Sequence, residues 1–304
     1  MLRNKEKFIK NPYDESVKKI DGFALIMCMD IVYEELYMIN NAVISEGIEY
    51  ILQHLCENIT INDVASHCCM SVSRFSVVFK EQTGESVYSF IKRQKMEQSA
   101  FKLKLETERT ITDIGEEYGY SSSNYSWAFR QYHKISPVQF RKKMRVSKEE
   151  QKKIISRIDK VVRVESKPDY HVVYERSIGN YNELKAYWCM FTEKYQKDID
   201  EETLFFERTF DDPAITDKEH CIYDVCMTTK NILNYDNTCV LKGGKFLIYP
   251  FKGYISQILH VYQELLSIWF PTKKYELDER YSYDQYNIVR EDGYMEFDIC
   301  ILIK

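Results

Sequence analysis

The sequence predicts two domains of different class: an all-α unit of two helix pairs in tandem, then an α+β unit of two pseudo-symmetric β-α-β-β repeats. Three observations predict this. Residues 44–145 keep a helical period of apolar positions, whereas beyond Val161 short β-type runs alternate with two amphipathic helices. The stretch TINDVASHCCMSVSRFSVVFKEQTG returns some fifty residues later as TITDIGEEYGYSSSNYSWAFRQYHK. Charge is also partitioned: residues 71–145 hold 14 Lys+Arg against 8 Asp+Glu (+6), and residues 161–304 hold 17 against 25 (−8).

Residues 1–43 form an expected N-terminal helical extension, with apolar patches at 23–29 and 31–39. Residues 44–58 read as a helix with Ile44, Ile48, Ile51, Leu52 and Leu55 on one face. Thr60 or Asn62 then caps a short helix whose inward face is Ile61, Val64 and Ala65, the last small enough for a second helix to cross. That second helix buries Val72, Phe75, Val78 and Phe79 and ends at Gly84, where a positive φ is needed. Its outer face carries Ser73, Arg74, Ser76, Val77 and Lys80.

A helix over 87–105 joins this pair to the next. There Ile111 and Ile114 point inward, Gly115 takes the crossing position, and Tyr125 and Phe129 are buried. Ser123, Asn124, Trp127 and Arg130 are left outside. Two short helices around a tight turn, the second with a polar and basic outer face, are the helix-turn-helix arrangement. The charged stretch SKEEQKKIISRIDK predicts a helical or extended linker over 146–160.

In 161–304 the strands are expected at 171–176, 204–210, 221–227, 245–250 and 297–303, with helices at 182–195 and 254–270. Each helix follows a strand, a glycine and a tyrosine (RSIGNYNELKAYW and PFKGYISQILHVYQELLSIW), and two β segments follow each. A repeat of this kind places a cleft where its halves meet.

Over about one hundred residues the chain resembles the AraC/XylS family of transcription regulators. The landmarks are Ala65, Phe79-Lys80, Thr83-Gly84, Ile111, Ile114, Gly119-Tyr120, Phe129-Arg130, Ser136-Pro137 and Arg141. The resemblance implies two helix-turn-helix units that enter successive major-groove segments of double-stranded DNA. Ser73, Ser76, Val77, Ser123, Asn124 and Trp127 would then face bases. Chemistry agrees in part: Asn124 suits adenine, and Val77 and the Trp127 ring suit a thymine methyl. Arg74, Lys80, Arg130, Arg141, Lys142 and Lys143 suit phosphates. Three departures fall in the second unit: Gly115 for the usual alanine, Lys134 for a usual glycine, and a turn after Tyr120 that reads one residue short. This unit is therefore expected to contribute mainly phosphate contacts.

Residues 164–304 resemble the GyrI-like effector-binding domain through Gly179, Tyr181, Trp188, Asp211-Asp212-Pro213, Tyr223-Asp224-Val225, Gly243-Gly244, Gly253-Tyr254, Trp269-Phe270-Pro271 and the closing ILIK. That family takes small, often cationic or aromatic molecules, and its acidic group corresponds here to Asp284, two residues before Tyr286. Tyr181, Trp188, Tyr223, Trp269 and Tyr286 are the candidate aromatic walls; a carboxylate ringed by aromatic faces attracts a cation.

The expected function is a ligand-responsive DNA-binding regulator in the cytoplasm, activator or repressor, with RNA polymerase as a partner, as monomer or homodimer. No apolar run reaches a membrane span and MLRNKEKFIKN lacks a signal peptide's apolar stretch. Nine scattered cysteines without a CxxC pair suit plain thiols, with no metal or cofactor expected. Two other readings are a small-molecule hydrolase using Asp284 or Glu219 as base, and a sequestering protein with a vestigial DNA-binding unit. Against the first stands the absence of a Ser/His/Asp set, metal-ligand spacing or a phosphate loop.

Overall fold

The computed structural model describes residues 38–39, 41–143, 146–278, 282–290 and 292–304. The patch at 23–29 and most of 31–39 lie outside them, as does Arg145. Met38 and Ile39, expected at the end of a helix, are instead extended: Met38 bridges to Ser177, and the Ile39 amide donates to the Arg176 carbonyl at 2.8 Å.

Helix α1 (Ala42–Gln53) starts at Asn41, whose side chain accepts from the Val43 and Ile44 amides. It is followed by α2 (Ile61–His67), α3 (Val72–Thr83), α4 (Val87–Leu105), α5 (Ile111–Glu117), α6 (Ser122–His133) and α7 (Pro137–Lys143). The two helix pairs match position for position at an offset of fifty. Thr60 and Thr110 both form capping boxes, with Asp63 and Asp113. Phe75 and Phe79 match Tyr125 and Phe129 in burial, and Phe90 matches Phe140.

The turns are equal in length, 68–71 and 118–121, which corrects the expectation of a shortened second turn. Each turn has a positive-φ residue, Cys69 (53°) and Gly119 (82°), and each second helix ends on one, Gly84 (76°) and Lys134 (61°). The side chain thus changes at these positions while the backbone does not. A Cβ on Gly115 would lie 2.6 Å from Tyr125 Cγ, so glycine is what lets α6 cross α5 with a tyrosine at the contact.

The predicted linker is a helix, α8 (Lys148–Ile158), capped by Ser147. Ile154 and Ile158 are buried in the second domain's core, so the segment packs as part of that domain. Its charged residues occupy the outer face of an amphipathic helix.

The second domain is one antiparallel sheet of β1 (Arg163–Lys167), β2 (Tyr170–Gly179), β3 (Phe205–Thr209), β4 (Cys221–Thr228), β5 (Thr238–Leu241), β6 (Gly244–Tyr254), β7 (Tyr283–Val289) and β8 (Tyr294–Ile303), in the order β1-β6-β8-β7-β3-β4-β2-β5. Helix α9 (Leu184–Tyr195) follows β2, and α10 (Ile255–Gln263) follows β6 and continues as a π-helical segment, Glu264–Trp269. In chain order β2, α9, β3 and β4 follow one another, as do β6, α10, β7 and β8, and β3 pairs with β7. Three strands went unpredicted: β1 is a short polar edge strand, β5 is an edge strand of only four residues, and β7 alternates within a run rich in polar side chains.

The faces of the sheet have different neighbours. Val173, Phe205, Tyr223, Val225 and Phe297 pack under the helices. On the reverse side Ile178, Phe210 and Ile222 join the core of the helical unit. Strand alternation thus turns neighbouring residues of β3 toward different partners.

Candidate nucleic-acid interface and ligand cavity

Ser73, Arg74, Val77 and Lys80 are exposed on α3, as are Ser123, Asn124, Trp127 and Arg130 on α6. The offset of fifty pairs Val77 with Trp127 and Lys80 with Arg130. These large apolar side chains are 51% and 64% exposed on otherwise polar faces, where burial against protein does not account for them. Ser76 is half-buried and its hydroxyl donates to the Val72 carbonyl at 2.6 Å. Lys142 and Lys143 are exposed at the end of α7.

Arg141 differs from this set. It is half-buried, and its guanidinium donates to the Arg109 carbonyl at 2.9 Å and the Glu106 carbonyl at 3.5 Å. It braces the turn after α4, a role set by tertiary contact and invisible in a basic C-terminal run.

The candidate ligand residues separate into two groups. Asp284 and Tyr181 line a cavity of about 660 Å³, a volume ordinary for small-molecule sites. Tyr286 stands beside it, its hydroxyl donating to Glu207 Oε2 at 2.7 Å. Tyr223 is buried behind, edge-on to Tyr181 with centroids 6.1 Å apart. Trp188 is fully buried in core packing. Trp269 is 2% exposed and its Nε1 donates to Asp159 at 2.7 Å. Neither tryptophan is a wall of the cavity, because helix faces that pack on a sheet bury their aromatics. Glu219, the alternative base, lies in an exposed 3-10 turn capped by Asp217.

Glu207 is the group that sequence reasoning missed. It sits on β3 in register with Asp284 on β7, so both carboxylates project from the same face. Directly opposite Cβ atoms are about 5 Å apart. Glu207 is fully buried and Asp284 is 3% exposed. Burial pushes the Glu207 carboxyl up to about 7, against hydrogen bonds from Tyr286 and Tyr181 that favour its charge. Burial and the neighbouring Glu207 raise Asp284 well above the ordinary carboxylate range, although the Tyr262 hydroxyl bonds both its oxygens at 2.6 Å. Among the described residues, two carboxylates and three phenols meet here with no cationic side chain in the hydrogen bonds of Glu207 or Asp284, an arrangement suited to a proton or a cation. The signal available in the sequence was a lone Glu-Arg pair inside the apolar run LFFERTF.

Behind this site, on the reverse face, Arg208 and Arg176 converge on Asp224. Arg176 donates to Asp224 at 2.7 and 2.9 Å, to Glu49 of α1 at 2.8 Å and to the Ser45 carbonyl at 2.8 Å. Burial alone would raise the Asp224 carboxyl, but the two guanidiniums hold it below the usual range. The helical unit is also tied at α4: Gln94 donates to Asp211 at 2.9 Å, Gln98 to the Phe210 carbonyl at 2.8 Å, and Lys104 pairs with Asp212.

Among the described residues no helix is long and apolar enough to cross a membrane, and no group of three His, Cys, Asp or Glu is placed to hold a metal.

A profile described as a GyrI-like small molecule binding domain matches residues 160–304, and one described as a helix-turn-helix domain matches residues 64–143. The chain is similar to the arabinose operon regulatory protein of Escherichia coli strain K12, 35% identical over 120 residues, covering 38% of this chain and 40% of that protein. It is similar to the regulatory protein PocR of Salmonella typhimurium, 31% identical over 100 residues, 33% of each. Among solved structures, the C-terminal domain of AraT, a response regulator from Geobacillus stearothermophilus, shares 28% identity over 36% of this chain and 90% of that one, with a TM-score of 0.33. The matches thus span two fifths or less of these curated relatives.

Proposed function

We infer that this chain, which carries an AraC-type helix-turn-helix region followed by a GyrI-like small-molecule-binding domain, regulates transcription by binding DNA under the control of an organic cation. The observation that carries the DNA reading is the duplicated exposed face of α3 and α6, with equal turns and equal helix ends behind it. Arg74, Lys80, Arg130, Lys142 and Lys143 hold phosphates, and Ser73, Ser76, Val77, Ser123, Asn124 and Trp127 face base edges. Arg141 acts indirectly by fixing the turn before α5.

The effector reading rests on the buried Glu207–Asp284 pair among Tyr181, Tyr262 and Tyr286. A cation entering there replaces the shared proton and meets aromatic faces. Tyr223 supports Tyr181 from behind. The strand–helix–strand–strand order of both halves supports reading the domain as a duplicated unit with its ligand at the β3–β7 seam. Hydrolysis is disfavoured, since no metal-ligand set is found among the described residues and Glu219 lies apart in an exposed turn.

Mobility-shift titrations on fragments of the chain's own upstream region test the DNA reading. A specific complex should persist at physiological salt and weaken on Lys80→Ala or Arg130→Ala. Binding that is equal for all sequences, and that vanishes at that salt, would refute it.

A further inference from the structure

The cavity that holds Glu207 and Asp284 is not enclosed by the second domain alone. Its lining continues across the domain boundary onto α4, through Gln98, Phe101 and Leu105. Leu105 is 5% exposed and belongs to the same apolar cluster as Ile258 and Leu265 of the α10 segment, and Phe101 packs against that cluster. The carbonyl of Phe210, three residues beyond Glu207, accepts from Gln98 of the same helix. The ligand-bearing strand and this helix are therefore fixed to each other directly.

From this we propose that α4 is a wall of the effector site, with Phe101 a ligand-contacting residue supplied by the DNA-binding unit. The proposal deepens the effector reading above and rests on it. Its consequence is specific. Helix α4 is the element between the two helix-turn-helix units, so it sets the distance and angle between α3 and α6. A molecule that fills the cavity touches that spacer itself, and no relay through α8 is needed. A ligand shifts the position of such a helix only by contacting one setting of it better than another, and a ligand against α4 makes that contact directly. Chemically, the ligand class is a bulky cation with an apolar body: the charge lies at the β3–β7 seam, and the body lies between Tyr262 of α10 and Phe101 of α4.

Tetraphenylphosphonium is a suitable probe, since it combines one positive charge with aromatic bulk. Its Kd would be measured by calorimetry on the full chain, wild type and variants. Glu207→Gln tests the underlying reading and should weaken binding by about tenfold or more. Phe101→Ala tests the present inference and should weaken it about tenfold, whereas Phe101→Leu, which keeps apolar contact, should stay within about threefold. Amide exchange on the wild type gives a second readout that no unstable variant can confuse. Protection should rise in residues 98–105 of α4 when the probe is added.

If Glu207→Gln abolishes binding while Phe101→Ala binds as wild type and α4 exchange is unchanged, the shared wall is overturned and the cation site stands. If the wild-type chain does not bind the probe, both fall.

Discussion

Glu207 and Asp284 concentrate the chemistry of the second domain, and their titration is measurable. Glu207 has its folded pKa raised from the ordinary 4.5 to about 7 by burial. A raised carboxyl contributes stability that is complete below the unfolded pKa and is lost as pH rises through the folded one. The ligand-free chain should therefore melt lower at pH 8 than at pH 5, and Glu207→Gln should flatten that slope. Glu97, also raised to about 7 by burial, leaves part of the slope in place. Cation affinity should move the opposite way and rise over the same pH window; a pH-independent Kd would count against a shared proton.

Two backbone positions give sharper tests. Gly115→Ala drives a methyl into Tyr125 and should cost about 1–3 kcal/mol in denaturant unfolding. Lys134→Gly relieves a left-handed residue and should stabilise by about 0.5–1 kcal/mol. Gly115 and Lys134 were visible as departures from the family pattern. That the backbone absorbs both with no loss of register was not, because the partner atom on Tyr125 lies in another helix.

At the scale of elements, α3 and α6 were readable because amphipathic spacing states which face is buried, and the fifty-residue repeat states it twice. The short-turn expectation failed because Gly119-Tyr120 disguises a turn in which Cys69 holds the same left-handed backbone as Gly119. The second unit is therefore built as completely as the first, and Trp127 should read sequence rather than only hold register. Trp127→Ala should weaken binding to the specific site by about 1–3 kcal/mol while leaving nonspecific affinity nearly unchanged. Arg130→Ala should weaken both and lower the salt slope by about one. Equal loss on all sequences for Trp127→Ala would return the second unit to a phosphate-only role. Helix α8 misled in the other direction: charge made it look like a linker, while Ile154 and Ile158, spaced four apart, already marked a buried stripe.

Across the molecule, the domain order was legible from period and charge, but the way the domains meet was not. No local pattern predicts that Arg176 and Arg208, on strands, share Asp224 and then reach Glu49 on α1. Arg176→Met would leave that buried carboxylate with half of its cations and should cost about 3 kcal/mol in unfolding. The same back-to-back arrangement puts Glu207 in the cavity and Arg208 at the domain interface on one strand, so the cavity and the interface share an element. The cavity likewise draws walls from both domains.

The most direct measurement is therefore the affinity of the full chain for its specific DNA site, with and without saturating tetraphenylphosphonium, in wild type and Glu207→Gln. The wild-type affinity should shift by about fivefold or more, and the variant, at the lowest probe concentration that saturates the wild type, should shift by much less, with the unliganded affinities equal. A wild-type affinity that is indifferent to bound cation would contradict it.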